Sequence, residues 1–416
     1  MRRTSLFVLV FIMALSAFSL GVGLSYDANP FADDDTETVE GTDTDGEGEG
    51  EGEGEEEGEE EEEKEPVERF TVEGVMYHVT EEGVVEVEGV EEGATSIVIP
   101  KEVTYEEENY KVTAITEDAF TGNKALTTVT IEGSIKEIHK EAFKGCTSLT
   151  TIVLGKGVEV IGESAFDGCT SLKTIDMAES VEKIGDSAFA GCTSLTTVEL
   201  GKGVKEIGES AFEGCTSLKT IDIAKGVEKI GDSVFDGCSK LESVVIPESV
   251  KELGKDLFKD CTKLKTVEID CDVEEINKDL FKNCTSLEEI EIKGDIKTVE
   301  ESVFEGNEKL KSVKLSGDID EIGKNAFKDC TKLETFEFGE KKKVKVVGES
   351  AFEGCSSLKA ITIPGSLKVI EKTTFKDCTS LKDLVIKPGV EEIGESAFEG
   401  CTSLEEVTIP TTVKKV

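Results

Sequence analysis

Thirteen phenylalanines recur at a step of 23 residues, from Phe120, Phe143 and Phe166 through Phe327, then Phe352, Phe375 and Phe398. One interval alone departs from the step, the 25 residues between Phe327 and Phe352. A leucine ladder follows six residues behind, from Leu126 and Leu149 to Leu404. A strict period of this length means one small unit stacked on copies of itself, because a single unit cannot bury its own apolar face. The expected architecture is a repeat solenoid of about thirteen coils with parallel strands and short helical turns.

One coil shows how. In residues 149–154 the apolar side chains Ile152 and Leu154 alternate with Thr151 and Val153, the period of a strand with one face inward. Gly155-Lys156-Gly157 turns the chain, and Val158 and Ile161 supply a second short extended segment. Glu163 to Phe166 is expected to form a helical or 3₁₀ turn that carries the next phenylalanine inward. Roughly six apolar side chains per coil face the interior, each contributing about 1.5–3 kcal/mol when buried.

The pattern Ala-Phe-x-x-Cys-x-x-Leu-x-x-Ile-x-Ile followed by Val-x-x-Ile-Gly resembles the BspA-type leucine-rich repeats. It is seen nearly complete in Gly214-Cys215-Thr216-Ser217-Leu218 with Ile221, Ile223, Val227 and Gly231. The resemblance covers residues 90–416. It implies a leucine-rich-repeat fold and a non-enzymatic role at a cell surface or in secreted form, where members of that family act as adhesins for matrix proteins or other cells.

The segments ahead of the repeats differ in kind. Residues 1–25 join Arg2 and Arg3 to an apolar run from Leu6 to Leu24, which reads as a signal peptide or an uncleaved signal-anchor. Residues 26–68 form an acidic spacer. Between 27 and 69 there are 22 Asp and Glu against Lys64 and Arg69, and residues 46–63 are only Gly and Glu. Such a segment buries too little to offset its ordering entropy, so disorder is expected. Residues 69–118 read as an N-terminal cap with the first coil, including a hairpin around Thr104 to Tyr110, and residues 119–416 as the solenoid.

Charge and residue choice narrow the function. The net charge is −44, which repels nucleic acid and anionic lipid and favours cationic partners. Tryptophan is absent, and His78 and His139 are the only histidines, which removes most routes to acid–base chemistry near neutral pH. The carboxylates repeat with the coil instead of gathering once. No catalytic residue and no cofactor is therefore assigned, and membrane contact is expected only through an uncleaved leader.

Eleven of the twelve cysteines hold one repeat position, where Asn123 and Asn307 replace them in two copies. That exchange suits a small buried side chain facing backbone groups. Parallel stacked thiols point alike, which disfavours disulfides. Cys271 stands apart at a turn position and is expected as an exposed thiol.

If Ile152 and Leu154 point inward, the outward positions form two columns, one rich in hydroxyls and one in carboxylates. The candidate binding face is Thr174, Asp176, Thr197, Glu199, Thr220, Asp222, Thr266, Glu268, Glu289, Glu291, Thr335 and Glu337. Like charges on adjacent strands repel. The face is then either a solvated surface that keeps strand edges soluble, or a site for a basic ligand or Ca²⁺. Partners expected are a surface or matrix protein, or a glycan, of a host or neighbouring cell. The final coil, ending at Val413 and Val416, carries no polar cover, so end-to-end self-association and a structural, ligand-free coat form the competing reading. The basic turn Lys341-Lys342-Lys343 with Lys345 reads as a variable loop.

Overall fold

The computed structural model describes residues 68–133, 135–338 and 344–416. The leader, the acidic spacer up to Val67 and the turn at 339–343 lie outside the described residues.

The chain opens with three antiparallel strands, β1 (Arg69–Val72), β2 (Val75–Glu81) and β3 (Val84–Val90). Their inner face buries Phe70 against Tyr105, with ring centroids 4.5 Å apart, and against Tyr77 at 5.4 Å. Burial pushes the Tyr77 phenol up to about 12. β4 (Ser96–Ile99) is the first strand of repeat type and pairs in parallel with Thr128–Ile131 across the nine-residue insertion. That insertion is the hairpin of β5 (Glu102–Tyr105) and β6 (Glu108–Ile115), turned by Glu106 and Glu107 at φ 47° and 71°. β6 joins the cap, through β3, to the second-strand ladder of the repeats.

Each later coil up to Ile393 contributes two strands, and the last, residues 401–416, only a bridge at Lys415. A first strand, such as Thr197–Glu199, has its central residue buried and its flanks exposed; a second, such as Glu206–Ile207, turns its isoleucine inward. First strands pair in parallel with first strands, and second with second, with residues 23 apart in register: Thr197↔Thr220, Glu206↔Lys229. In most coils a glycine follows the second strand and lets the next coil approach closely. A Cβ on Gly185 would stand 2.6 Å from the carbonyl carbon of Gly162, closer than packed atoms come.

The phenylalanines form the column that the period implies. Rings from Phe120 to Phe398 stack in succession with centroids 4.7–6.1 Å apart and planes within 2–18°. Beside them lie the leucine ladder and the inward isoleucines and valines, one continuous core along the stack.

The turns that carry the rings are not helical, contrary to expectation: no helix occurs among the described residues. In a helix the N–H groups of a turn serve its own carbonyls. Here those of Ser164, Phe166 and Gly168 donate forward to Asp186, Ala188 and Ala190 of the next coil, each at 2.8 Å. The forward bonds accompany left-handed backbone two residues either side of the ring, φ 53° at Ser164 and 69° at Gly168. The same conformation recurs in every coil, in part at Gly, Asn and Asp, which tolerate it best, but also at serines, at Glu141 and at the β-branched Thr373. Phenylalanine is thus held by coil-to-coil bonds on both its flanks.

Phe235 is wholly buried between Phe212 and Phe258. Phe235→Ala should therefore lower the free energy of unfolding by about 3–5 kcal/mol, the range for large aromatic truncations in packed cores. Urea denaturation followed by circular dichroism checks this, and a loss below about 1 kcal/mol would contradict a packed column.

Candidate functional site

The outward positions of the first strands build the candidate face. Thr174–Asp176, Thr197–Glu199 and Thr220–Asp222 lie side by side in register, so Asp176 faces Glu199 and Glu199 faces Asp222. The strands before and after place Val153 and Val245 in the same column, 49 % and 48 % exposed. Three carboxylates thus sit between two exposed apolar side chains, beside the hydroxyls of Thr174, Thr197, Thr220 and Ser243. A shallow recess of about 470 Å³ runs across Thr197, Glu199, Thr220, Asp222, Ser243 and Val245.

The remaining candidates are placed differently. Thr266, Glu268, Glu289 and Glu291 form a second group beyond Val245. There Lys293 reaches Glu268 and Lys314 reaches Glu291, so both carboxylates, each half-buried, are already neutralised. Thr335 and Glu337 lie past Lys314, which faces Glu337 in register. Sequence reading finds the column but misses the reach of Lys293, which enters from the turn after the strand.

Some other exposed carboxylates of the repeats are paired along the stack, while others, such as Glu209, Glu213 and Glu248, have no ion pair among the described residues. Lysines bridge to the coil before at Lys205–Glu182 (2.8 Å), Lys251–Glu228 (2.6 Å), Lys265–Glu242 (3.0 Å) and Lys311–Glu288 (2.7 Å). The lysine hydrogen bond and charge hold the Glu228 and Glu288 carboxyls below their ordinary range. Lys345, expected in a variable basic loop, is tied the same way to Asp320 at 2.9 Å. Such exposed pairs are individually weak, but they alternate in sign along columns and so favour one register. Asp176, Glu199 and Asp222 have no ion pair among the described residues.

A second recess, of about 370 Å³, lies on the second-strand side among Asp272, Asp295, Asp318 and Lys297. Its carboxylates do structural work: Asp272 Oδ1 accepts from the N–H of Asp295, and Asp295 Oδ1 from that of Asp318, each at 2.8 Å. No group of three or more His, Cys, Asp or Glu side chains is gathered for a metal among the described residues, and no described helix is long and apolar enough to cross a membrane.

The cysteines are free thiols, all buried but Cys401, which is half-buried. Each ladder thiol donates to the carbonyl of the phenylalanine one coil back, as Cys238 to Phe212 at 3.2 Å. Asn123 does related work, its Oδ1 accepting from the N–H groups of Ala125 and Leu126. Cys271 is buried, not exposed as expected, with 1 % of its surface accessible. It occupies the tight turn that Gly294 and Gly317 fill in the next two coils, and the backbone of Gly294 closes over it.

Four overlapping stretches, residues 113–242, 183–311, 228–345 and 297–416, match the model of the BspA type leucine rich repeat region. Among solved structures, a leucine-rich repeat protein from Bacteroides ovatus is 27 % identical, covering 83 % of this chain and 99 % of its own, with a TM-score of 0.48. A leucine rich cell surface protein from Faecalibacterium prausnitzii is 27 % identical over 82 % and 94 %, TM-score 0.49. The pneumococcal vaccine antigen PcpA is 22 % identical over 83 % and 92 %, TM-score 0.39. Nothing among the curated proteins matches significantly.

Burial raises the thiols from Cys192 to Cys378 above their ordinary range, Cys215 up to about 12, and Cys271 up to about 11. The folded chain therefore keeps thiol protons that the unfolded chain loses above a pKa of about 8.5. Their contribution is fully present below that pH and is lost as pH rises toward the folded values. The urea midpoint should fall steadily from about pH 8.5 upward, and a maleimide should label Cys271 no faster than the ladder cysteines in the native protein. A flat midpoint, or selective labelling of Cys271, would contradict this burial.

Proposed function

This chain belongs to the BspA-type leucine-rich repeat family, and from that premise we propose that it is an exported, non-enzymatic surface or secreted protein that binds a partner through its first-strand face. Export rests on the leader in residues 1–25. The contact centres on Asp176, Glu199 and Asp222, with Val153 and Val245 as apolar flanks.

One observation carries the assignment to these residues. Three consecutive strands oppose like charges in register, Asp176 to Glu199 to Asp222, with no ion pair to any of the three among the described residues. Opposed like charges cost the fold free energy, of the order of a few tenths of a kcal/mol per pair. The partner that offsets this is a cationic segment of another protein, or a glycan bearing amino groups. Its aliphatic or ring carbons rest on the valines while the threonines supply hydrogen bonds. The same charge argument excludes nucleic acid and anionic membranes as ligands. Ca²⁺ is the alternative bridge between face and partner, since carboxylate and hydroxyl oxygens are its ordinary ligands.

Residues 69–416 should bind saturably to one member of an immobilised panel of matrix proteins, amino-glycans and cell surfaces. The triple variant Asp176→Asn, Glu199→Gln, Asp222→Asn should lose roughly tenfold or more in affinity, as for three surface charge contacts. It should fold at least as stably as the parent. Loss of binding on chelation alone assigns the contact to Ca²⁺. Unchanged affinity in the triple variant would remove the face from the account, and self-association with no ligand would favour a structural coat.

A further inference from the structure

The coil that breaks the 23-residue step also breaks the hydrogen bonding. First strands pair continuously from Thr174–Asp176 to Thr335–Glu337, then stop; pairing resumes only between Ala360–Ile363 and Asp383–Ile386. Second strands stop at the same boundary, between Val346–Val347 and Val369–Ile370. Elsewhere an interruption touches one ladder at a time. Where first strands part between Val153 and Thr174, Val160 still pairs with Lys183. Where second strands part between Leu253 and Val273, Val245 still pairs with Glu268. Among the described residues, the boundary after Thr335–Glu337 is the one inside the repeats where both ladders are open. The bond that normally precedes a first strand is stretched here as well: Lys359 N–H to Glu334 O is 3.4 Å, against 2.9 Å for Glu334 N–H to Lys311 O one coil earlier.

The cause is visible in the side chains. Phe336 and Phe338 fill inward positions that hold aliphatic residues in the other coils. Phe336 packs edge-on against Phe327 and Phe352, at 5.2 and 4.7 Å, and Phe338 edge-on against Phe336 at 5.0 Å. An edge-on ring occupies more of the stack axis than an isoleucine does. A recess of about 490 Å³ opens at the boundary, lined by Lys314, Phe336, Phe338, Lys359 and Ile361.

The third side stays closed. Phe327 and Phe352 stack at 5.2 Å and 9°. Phe327 N–H donates to Ala351 O and Asp329 N–H to Glu353 O, both at 2.8 Å, and the Cys355 thiol donates to Phe327 O at 3.2 Å. Two coils whose backbone bonding is kept along one edge, while both strand ladders part and leave mainly the ion pairs Lys359–Glu334 and Lys372–Glu349, have the form of a hinge.

We propose that this boundary is a hinge that divides the repeat array into two cooperative units, so that the coils after Gly348 open together while those before it stay folded. In a linear array, stability is the sum of coil terms and nearest-neighbour interface terms, and the weakest interface sets where the array parts. The inference rests on the fold and is independent of the binding assignment above.

Native-state hydrogen exchange of residues 69–416 in rising sub-denaturing urea tests it. The expected result is one shared opening for amides of Ala360–Ile363, Asp383–Ile386 and the Phe375 turn, at lower urea than for the first strands between Thr197 and Leu315. The variant Phe336→Ile, Phe338→Leu should shift that opening toward the global one. A single opening shared by all coils would overturn the hinge. So would protection that declines coil by coil from the C-terminal end with no step between Val347 and Ala360. Should the variant fail to fold, the exchange pattern of the parent decides alone.

Discussion

Everything in this structure depends on bonds made between one coil and the next. Strand N–H groups reach back to the coil before, the turn N–H groups around each phenylalanine reach forward, and the ring stacks on its neighbours along the same axis. Alternate turn groups close bonds within a coil, as Asp167 N–H to Ser164 O and Cys169 N–H to Phe166 O, but the strands and the remaining turn groups are satisfied only by neighbouring coils. The repeat period, the left-handed residues beside each ring and the glycine after most second strands all serve one requirement: that similar backbones lie close enough to bond.

That requirement divides the surface into constrained and free positions. Inward positions are fixed as Phe, Leu, Ile, Val or Cys, and the thiol is no reactive site but a buried donor to a carbonyl one coil back. Among outward positions, many are occupied by lysines and glutamates that alternate along the stack and reinforce its register. Other outward positions escape both demands. Asp176, Glu199 and Asp222 are among them, and a residue that neither packs nor pairs is where the sequence can be set by something outside the fold.

Much of this was legible in the residues. The phenylalanine step implied the stack, alternation in 149–154 placed Thr151 and Val153 outward, and the exchange of cysteine for asparagine pointed to a side chain facing backbone. What escaped was the destination of hydrogen bonds. Residues 163–166 read as a helical or 3₁₀ turn, but the N–H groups of Ser164 and Phe166 are claimed by the following coil, which no local pattern reveals. Cys271 looked exposed because it aligns with Lys156. The more telling alignment is with Gly294 and Gly317, each followed, like Cys271, by aspartate and an aliphatic residue, which marks a tighter and buried turn. In the face, Glu268 and Asp222 looked equivalent by column; only the reach of Lys293 separates them.

The central claim is that stability resides in the interfaces between coils. Equilibrium urea unfolding of a series lacking one, two or three whole 23-residue coils, beginning with residues 174–196, tests it most directly. Each deletion keeps the register of every remaining coil. Stability and the urea dependence of unfolding should both fall by a near-constant step per coil removed, as the surface exposed on unfolding shrinks in proportion. Stability independent of coil number would contradict the account, because each coil would then hold its own fold without its neighbours.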